Sequence, residues 1–112
     1  MTQPLCLMRP VYVAGIGLHP YQRPTEGSYV ALGLRAVREA LSDAGIGWKD
    51  VDSAYVGNAV LGMAPGRPML RHLGATGLSI THVENASATG SAAVRVACLE
   101  VASGAAEVVL AM

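Results

Sequence analysis

Residues 81–93 read Thr-His-Val-Glu-Asn-Ala-Ser-Ala-Thr-Gly-Ser-Ala-Ala, an apolar strand that passes directly into a helix of small residues. Ser87 occupies the turn between the two. A strand that turns sharply into a helix presents its turn residue to an open pocket. It also directs the unpaired N–H groups and positive dipole end of the helix toward whatever that residue binds. This stretch therefore predicts a functional site at Ser87.

Small apolar residues continue behind Ser87 as far as Ser103, with Arg95 and Glu100 as the charges in that run. A helix that is apolar on nearly every side is typical of a protein core. The pattern predicts a buried helix over residues 87–103, ended by Gly104.

Four segments, including the strand before Ser87, are short, apolar and rich in β-branched residues, which is typical of strands in a parallel sheet. They are residues 11–18, 53–60, 78–85 and 107–112. An apolar stripe behind Ser28 predicts a helix that ends at Gly45. Strands that alternate with helices indicate an α/β fold with a mostly parallel sheet. Ligands bind beyond the C-terminal ends of such strands, where the turn from Asn85 to Ser87 is expected.

The composition indicates one domain, or part of one, whose surface is covered by something else. The chain has 112 residues, of which 52% are hydrophobic and 14% are charged, against about 25% charged in ordinary soluble domains. We therefore expect a missing part of a larger chain, or a partner subunit, to cover this surface. Zero net charge without a basic cluster argues against nucleic acid as a partner.

The cysteines and the apolar segments bear on location and on metals. Cys6 and Cys98 are far apart and have no metal-type spacing, so we expect reduced thiols in a cytoplasmic protein and no metal site. The first residues lack the pattern of a secretory signal. No apolar run approaches the roughly 20 residues that a membrane span needs.

Ser87 has two interpretations. A strand–turn–helix with a hydroxyl at the turn suits acyl transfer, with Asn85 anchoring the turn through its side chain and Gly90 letting a substrate approach. The alternative is that Ser87 is an ordinary helix N-cap, since serine is common there for structural reasons. Three histidines have no partner at a motif spacing and are expected on loops or the surface: His19, His72 and His82.

Residues 83–93 resemble the nucleophile segment of thiolases. They are most similar to the sterol carrier protein X and lipid-transfer-type thiolases, which read approximately V-E-N-A-C-A-[TS]-G-S-A-A. The likeness extends over nearly the whole chain from about residue 11. It implies a thiolase-like N-terminal half-domain, with βαβ-βαβ layers and a mostly parallel sheet around a buried helix. It also implies the strand order 3-2-1-4, with the four predicted strands numbered along the chain.

The chain departs from the thiolase pattern in two ways. Ser87 stands where the family has its nucleophilic cysteine, and residues 1–112 match only a partial N-terminal domain, without the C-terminal half that carries a histidine and a second cysteine. A helix N-terminus and a histidine can lower the pKa of a thiol from about 8.5 to below neutral. A hydroxyl instead needs a general base within about 3 Å. The chain alone is therefore expected to be inactive.

The resemblance leaves several functions open. The first is part of an acyl-CoA acyltransferase that forms or cleaves a C–C bond beside a thioester, with Ser87 at the covalent-acyl position. The second is a non-catalytic thiolase-like subunit, or an aldolase-type homologue, acting in a complex with a partner protein. The third is a truncated product that does not fold alone. The family implies coenzyme A thioester as substrate, no bound cofactor, and a homodimer or a hetero-oligomer with the missing half or a partner subunit.

Overall fold

The computed structural model describes residues 8–112 and contains a sheet of three parallel strands. Strand β1 is Ser53–Gly57, β2 is Ser79–Val83 and β3 is Val109–Ala111, and their order in the sheet is β2-β1-β3. Helix α1 is Tyr29–Ala44, α2 is Gly66–Leu70 and α3 is Thr89–Ala102. Three short 3₁₀ turns complete the structure, at Trp48–Asp50, Arg71–Leu73 and Ala86–Ala88. The predicted α/β class with a parallel sheet is confirmed.

Helix α1 begins and ends where its sequence predicts. The Ser28 hydroxyl accepts a hydrogen bond from the backbone N–H of Ala31 at 3.2 Å, which satisfies one of the free donors of the first turn. Gly45 follows the last turn with φ of 70°, a left-handed conformation that glycine adopts without strain. These two end residues and one apolar stripe were sufficient to locate the helix.

Strand β1 lies at the centre of the sheet and packs on both of its faces. Ala54 and Val56 belong to the main hydrophobic core, which they share with residues of α1 and α2. Ser53 and Gly57 point to the other face, where both meet α3. This alternation follows from the two-residue period of a strand. The buried members of the core are Leu34, Val37, Trp48, Val51, Ala54, Val56, Met69 and Leu70.

Helix α3 buries one face against the sheet. Thr89, Ala93, Ala97 and Ala102 are buried at spacings of four and five residues, and small side chains there allow close approach of the helix. On the opposite side Val94 is 53% exposed and Arg95 is exposed. The side of α3 away from the sheet is therefore open in this chain.

The predicted strand over residues 11–18 is wrong. This segment has no regular secondary structure, and Tyr12 and Val13 are more than four-fifths exposed. It lies instead against α1, where glycines permit contact of the two backbones. A Cβ atom on Gly17 would come within 1.9 Å of the carbonyl oxygen of Ala36. The glycines of this segment are therefore explained by close packing against a helix.

The predicted strand order 3-2-1-4 is also wrong, because the fourth predicted strand pairs directly with the second. Backbone bonds join Asp52 N–H to Val108 O and Gly57 N–H to Met112 O, and so occupy the edge of β1 that the first strand was expected to use. The Asp52 carboxylate strengthens this junction by accepting the N–H groups of Val108 and Glu107, which lower its pKa.

Polar contacts at Arg9 and at Ile16 hold the N-terminal segment in place. The Arg9 guanidinium donates to the carbonyl oxygens of Val101 and Ala106, which closes the C-terminal end of α3 with a positive charge. The backbone N–H of Ile16 donates to the Asp43 carboxylate at 2.9 Å. Cys6 lies outside the described residues, and Cys98 is a free, half-buried thiol. Within residues 8–112 no helix is long and apolar enough to cross a membrane.

We expect Gly57→Ala to destabilise the fold and Gly90→Ala to leave it unchanged or stabilise it. A Cβ on Gly57 would lie 2.8 Å from the Thr89 methyl carbon, whereas one on Gly90 would meet no atom within 4 Å. Overpacking of this kind costs about 1–3 kcal/mol of unfolding free energy, while alanine in a helix gains roughly 0.5–1 kcal/mol over glycine.

Urea unfolding monitored by circular dichroism gives the unfolding free energy of both variants and of the unsubstituted chain. Equal destabilisation by the two substitutions would contradict the close contact between β1 and α3. A cooperative transition of the parent chain would also exclude the expectation that it does not fold alone.

Candidate active site

The turn that carries Ser87 lies at the C-terminal edge of the sheet. Gly57 and Val83 are register partners at the ends of β1 and β2. The backbone N–H of Asn58 donates to Val83 O at 3.0 Å, so both strands end at the same place. The chain after β2 then forms the 3₁₀ turn Ala86–Ala88 and enters α3. Ligands of parallel sheets bind at this edge.

Ser87 is not the N-cap of α3, so the interpretation of this residue as an ordinary helix N-cap is wrong. Ala88 occupies the N-cap position and the helix begins at Thr89. Ser87 lies in the 3₁₀ turn before it and is exposed to solvent. Within residues 8–112 its hydroxyl has no hydrogen-bond partner, so it is free to meet a ligand. Its role as a nucleophile stays a prediction.

Thr89 closes this turn through its side chain. Its hydroxyl accepts the backbone N–H of Asn85 at 2.8 Å and donates to the carbonyl of Ala86 at 2.7 Å. The side chain is buried, so both bonds are protected from water. The sequence analysis missed this residue; a threonine two positions after the turn serine was the available signal.

Ala86 stores backbone strain next to Ser87. Its φ of 45° lies in the left-handed region, which costs an alanine roughly 1–2 kcal/mol. The Glu84 carboxylate accepts a hydrogen bond from the backbone N–H of Ala86. The Thr89 hydroxyl accepts one from the backbone N–H of Asn85, on the other side of the turn. Strain that persists because the surroundings enforce it is typical of functional sites.

Asn85 contributes its backbone to the turn. Its N–H donates to Thr89, and its carbonyl accepts the N–H of Ala88 at 2.8 Å. The Asn85 side chain makes no hydrogen bond to the rest of residues 8–112, unlike the anchoring that the sequence analysis expected. The position of Gly90 is open, since a Cβ there would meet nothing within 4 Å. That space leaves room for a ligand beside Ser87.

The prediction that His82 lies on a loop or the surface is wrong. His82 is a half-buried residue of β2, and its Nε2 accepts the backbone N–H of Gly66 at 2.9 Å. Burial lowers the pKa of His82, and the nearby Arg67 lowers it further. An Nε2 atom that accepts this hydrogen bond belongs to a neutral ring with its proton on Nδ1. Its Nε2 atom is hydrogen-bonded to Gly66, at the end of the loop after β1, and not to Ser87.

The long connection after β1 begins at the same sheet edge. The Asn58 side chain ends the strand by accepting the N–H groups of Val60 and Leu61 and donating to Gly62 O. The predicted strand over residues 53–60 is therefore shorter, Ser53–Gly57. Val60 and Met63 are at least nine-tenths exposed, so this loop presents apolar side chains to solvent.

Comparison with known proteins gives the family. The model of the thiolase N-terminal domain matches residues 23–112, and this chain belongs to that family. The chain is 40% identical to an acetyl-CoA acetyltransferase of Methanocaldococcus jannaschii (92% of this chain, 28% of that protein). It is 38% identical to sterol carrier protein 2 of Gallus gallus (95% and 20%). It is 41% identical to the benzoylsuccinyl-CoA thiolase subunit BbsB of Thauera aromatica (93% and 27%). The chain thus spans between one fifth and just over one quarter of these relatives.

Solved structures agree on the fold. The chain matches a priming β-ketosynthase of the R1128 polyketide pathway with a TM-score of 0.62 and 26% identity, over 75% of this chain and 26% of that one. It matches 3-oxoacyl-[acyl-carrier-protein] synthase III of Aquifex aeolicus with a TM-score of 0.60 and 18% identity, over 70% and 27%. The predicted thiolase-like fold is confirmed.

We expect Thr89→Val to destabilise the chain, whereas Thr89→Ser retains most of its stability. Valine has nearly the shape of threonine but leaves the Asn85 N–H and the Ala86 carbonyl without their partner. Losing such partners costs about 1–3 kcal/mol of unfolding free energy. Urea unfolding of the two variants tests this, and a Thr89→Val variant as stable as the parent would contradict the role of the hydroxyl.

Proposed function

We propose that this chain is part of a thiolase-like acyl-CoA acyltransferase, with Ser87 at the covalent-acyl position. The observation that carries the proposal is an exposed serine on a strained turn, at the C-terminal edge of a parallel sheet and immediately before α3. Membership of the thiolase N-terminal domain family supports acyl transfer, as does the name of the acetyl-CoA acetyltransferase relative. The parent protein forms or cleaves a C–C bond beside a thioester.

The proposed step is attack of the Ser87 hydroxyl on the thioester carbonyl. The oxygen forms an ester with the acyl group, the C–S bond breaks, and coenzyme A leaves as the thiol after taking up a proton. Amide groups at the start of α3 help to hold the carbonyl oxygen, where the positive end of the helix favours developing negative charge. Coenzyme A thioester is the substrate in this scheme, and the site needs no bound cofactor.

The hydroxyl needs a base to accept its proton. Within residues 8–112 no group hydrogen-bonds to Ser87, and the free nitrogen lone pair of His82 is used by Gly66. The base therefore comes from outside these residues, which is why we expect the chain alone to be inactive. A homodimer, or a hetero-oligomer with the missing half or a partner subunit, would supply it. The low content of charged residues and the exposed apolar residues such as Val60 and Met63 support such an assembly. We propose that the assembly is cytoplasmic.

The lack of a base beside Ser87 also favours a second function. In this alternative the chain is a non-catalytic thiolase-like subunit, or an aldolase-type homologue, that acts in a complex with a partner protein. The relative from Thauera aromatica is itself named as a subunit, which supports an assembly of several chains. Ser87 would then have no covalent role.

We expect acyl label from acyl-CoA to map to Ser87 in the intact parent protein. Ser87→Ala abolishes the label, since no nucleophile remains at the turn. Ser87→Cys raises thiolysis by at least about tenfold, because a thiol ionises near a helix N-terminus and a hydroxyl does not. Mass spectrometry of the labelled protein and a thiolysis assay measure the two effects.

Ser91→Ala is the matched control, because Ser91 is an exposed serine four residues after Ser87, in the first turn of α3. This variant keeps both label and activity. Label on another residue, or none at all, counts against the enzyme proposal. Full activity of the complex with Ser87→Ala favours the non-catalytic subunit.

A further inference from the structure

His82 and the start of α2 form a contact that the proposed function does not use. The Nε2 atom of His82 accepts the backbone N–H of Gly66, the first residue of α2. Pro65 before it gives no side-chain cap. The imidazole therefore serves as the acceptor that satisfies a free N–H of this helix, although it belongs to a strand 16 residues further on.

The contact between His82 and Gly66 is close and leaves no room for a side chain at position 66. A Cβ on Gly66 would lie 3.0 Å from His82 Nε2 and 2.7 Å from a methyl carbon of Val56. Val56 and His82 are register partners in β1 and β2, so both side chains lie on the face that α2 covers. Gly66 is buried there. The start of α2 thus packs directly on the pair Val56 and His82, near the C-terminal ends of β1 and β2.

The loop between β1 and α2 carries strain next to this contact. Ala64 has a φ of 49°, in the left-handed region that is unfavourable for alanine. Its carbonyl accepts the N–H of Arg67 at 3.2 Å, which ties it to the same turn. After this turn α2 is firmly held, because Met69 and Leu70 are almost fully buried. The contact between His82 and Gly66 lies at the C-terminal end of the loop over residues 58–65 and joins this end to β2.

We propose that His82 is a pH-sensitive latch for the loop over residues 58–65: the neutral ring holds the loop on the sheet, and protonation of Nε2 releases it. A protonated ring has no free acceptor and would place its charge against the Gly66 N–H. The moving segment carries the exposed apolar residues Val60, Leu61 and Met63, at the sheet edge where Ser87 lies. This inference does not rest on the proposed acyl transfer.

The charges around the ring give the direction of the pH effect. On α2, Arg67 acts on His82 by its positive charge, and β1 presents the apolar Val56. Burial, and then Arg67, lower the pKa of His82 below its ordinary value, which is about 6.5. Folding therefore favours the neutral form. The contribution of the latch to stability is complete above the ordinary pKa and is lost as the pH falls toward the lowered pKa.

Hydrogen exchange of this chain between pH 7.5 and 5, corrected for the intrinsic rate at each pH, tests the latch. We expect protection of residues 58–66 to fall by up to about tenfold per pH unit as the pH drops from the ordinary histidine pKa of about 6.5 to the lowered pKa of His82, while the α1 amides stay protected. His82→Gln keeps a neutral acceptor near the position of Nε2, so its loop protection no longer changes with pH. His72→Gln is the matched control, since His72 is an exposed histidine beyond α2, and it retains the pH dependence of the parent.

Arg67→Gln keeps the proposal testable if His82→Gln does not fold. Removing the positive charge raises the pKa of His82 toward its ordinary value, so the loss of loop protection on acidification ends at a higher pH and is smaller in total. A titration of the His82 ring followed by NMR gives that pKa directly. The latch is overturned if the ring titrates without loss of loop protection, or if His82→Gln and the parent show the same pH dependence.

Discussion

The hydroxyl of Thr89 bridges the backbone of Asn85 and Ala86, and the geometry of the candidate site depends on this bridge. It fixes the start of α3 and holds Ala86 in a conformation that alanine disfavours. Ser87 makes no capping hydrogen bond to α3, whose N-cap position is Ala88. The serine therefore projects from the turn, at the end of a sheet where ligands commonly bind.

Thr89 also sets the position of α3 on the sheet. Its side chain packs against Gly57, where an added Cβ would be too close. Eleven residues later, or about three helical turns, Glu100 accepts a hydrogen bond from the buried Ser53 hydroxyl at 2.6 Å. Burial and this carboxylate also raise the pKa of Tyr55 on the same strand. Two contacts at the two ends of β1 thus fix both the tilt and the rotation of the helix, and with them the direction of the Ser87 turn.

Local signals predicted the parts of the fold that local physics determines. Helix α1 follows from an apolar stripe between Ser28 and Gly45, whose capping roles depend only on neighbours in sequence. The segment over residues 11–18 has the composition of a buried strand but lies on α1. Glycine permits close packing on a helix as readily as in a strand, so composition alone did not distinguish the two.

The residues that complete the site were hidden for a similar reason. His82 contacts Gly66 and Gly57 contacts Thr89 only because the sheet brings distant segments together. Ser87 could be located from its strand–turn–helix pattern, but whether it caps the helix depends on where α3 begins, and sequence patterns do not fix a helix boundary to the exact residue. The two hydrogen bonds of the Thr89 hydroxyl set that boundary, and the hydrophobic periodicity of the sequence does not show them.

A crystal structure of the chain at a resolution that places individual hydroxyl oxygens tests the central claim most directly. The account predicts that α3 begins at Thr89, with its Oγ1 within hydrogen-bond distance of the Asn85 nitrogen and the Ala86 carbonyl, and with Ser87 Oγ free of the helix. A Ser87 Oγ that accepts the backbone N–H of Gly90 or Ser91 would contradict it, because Ser87 would then be the ordinary cap of the helix.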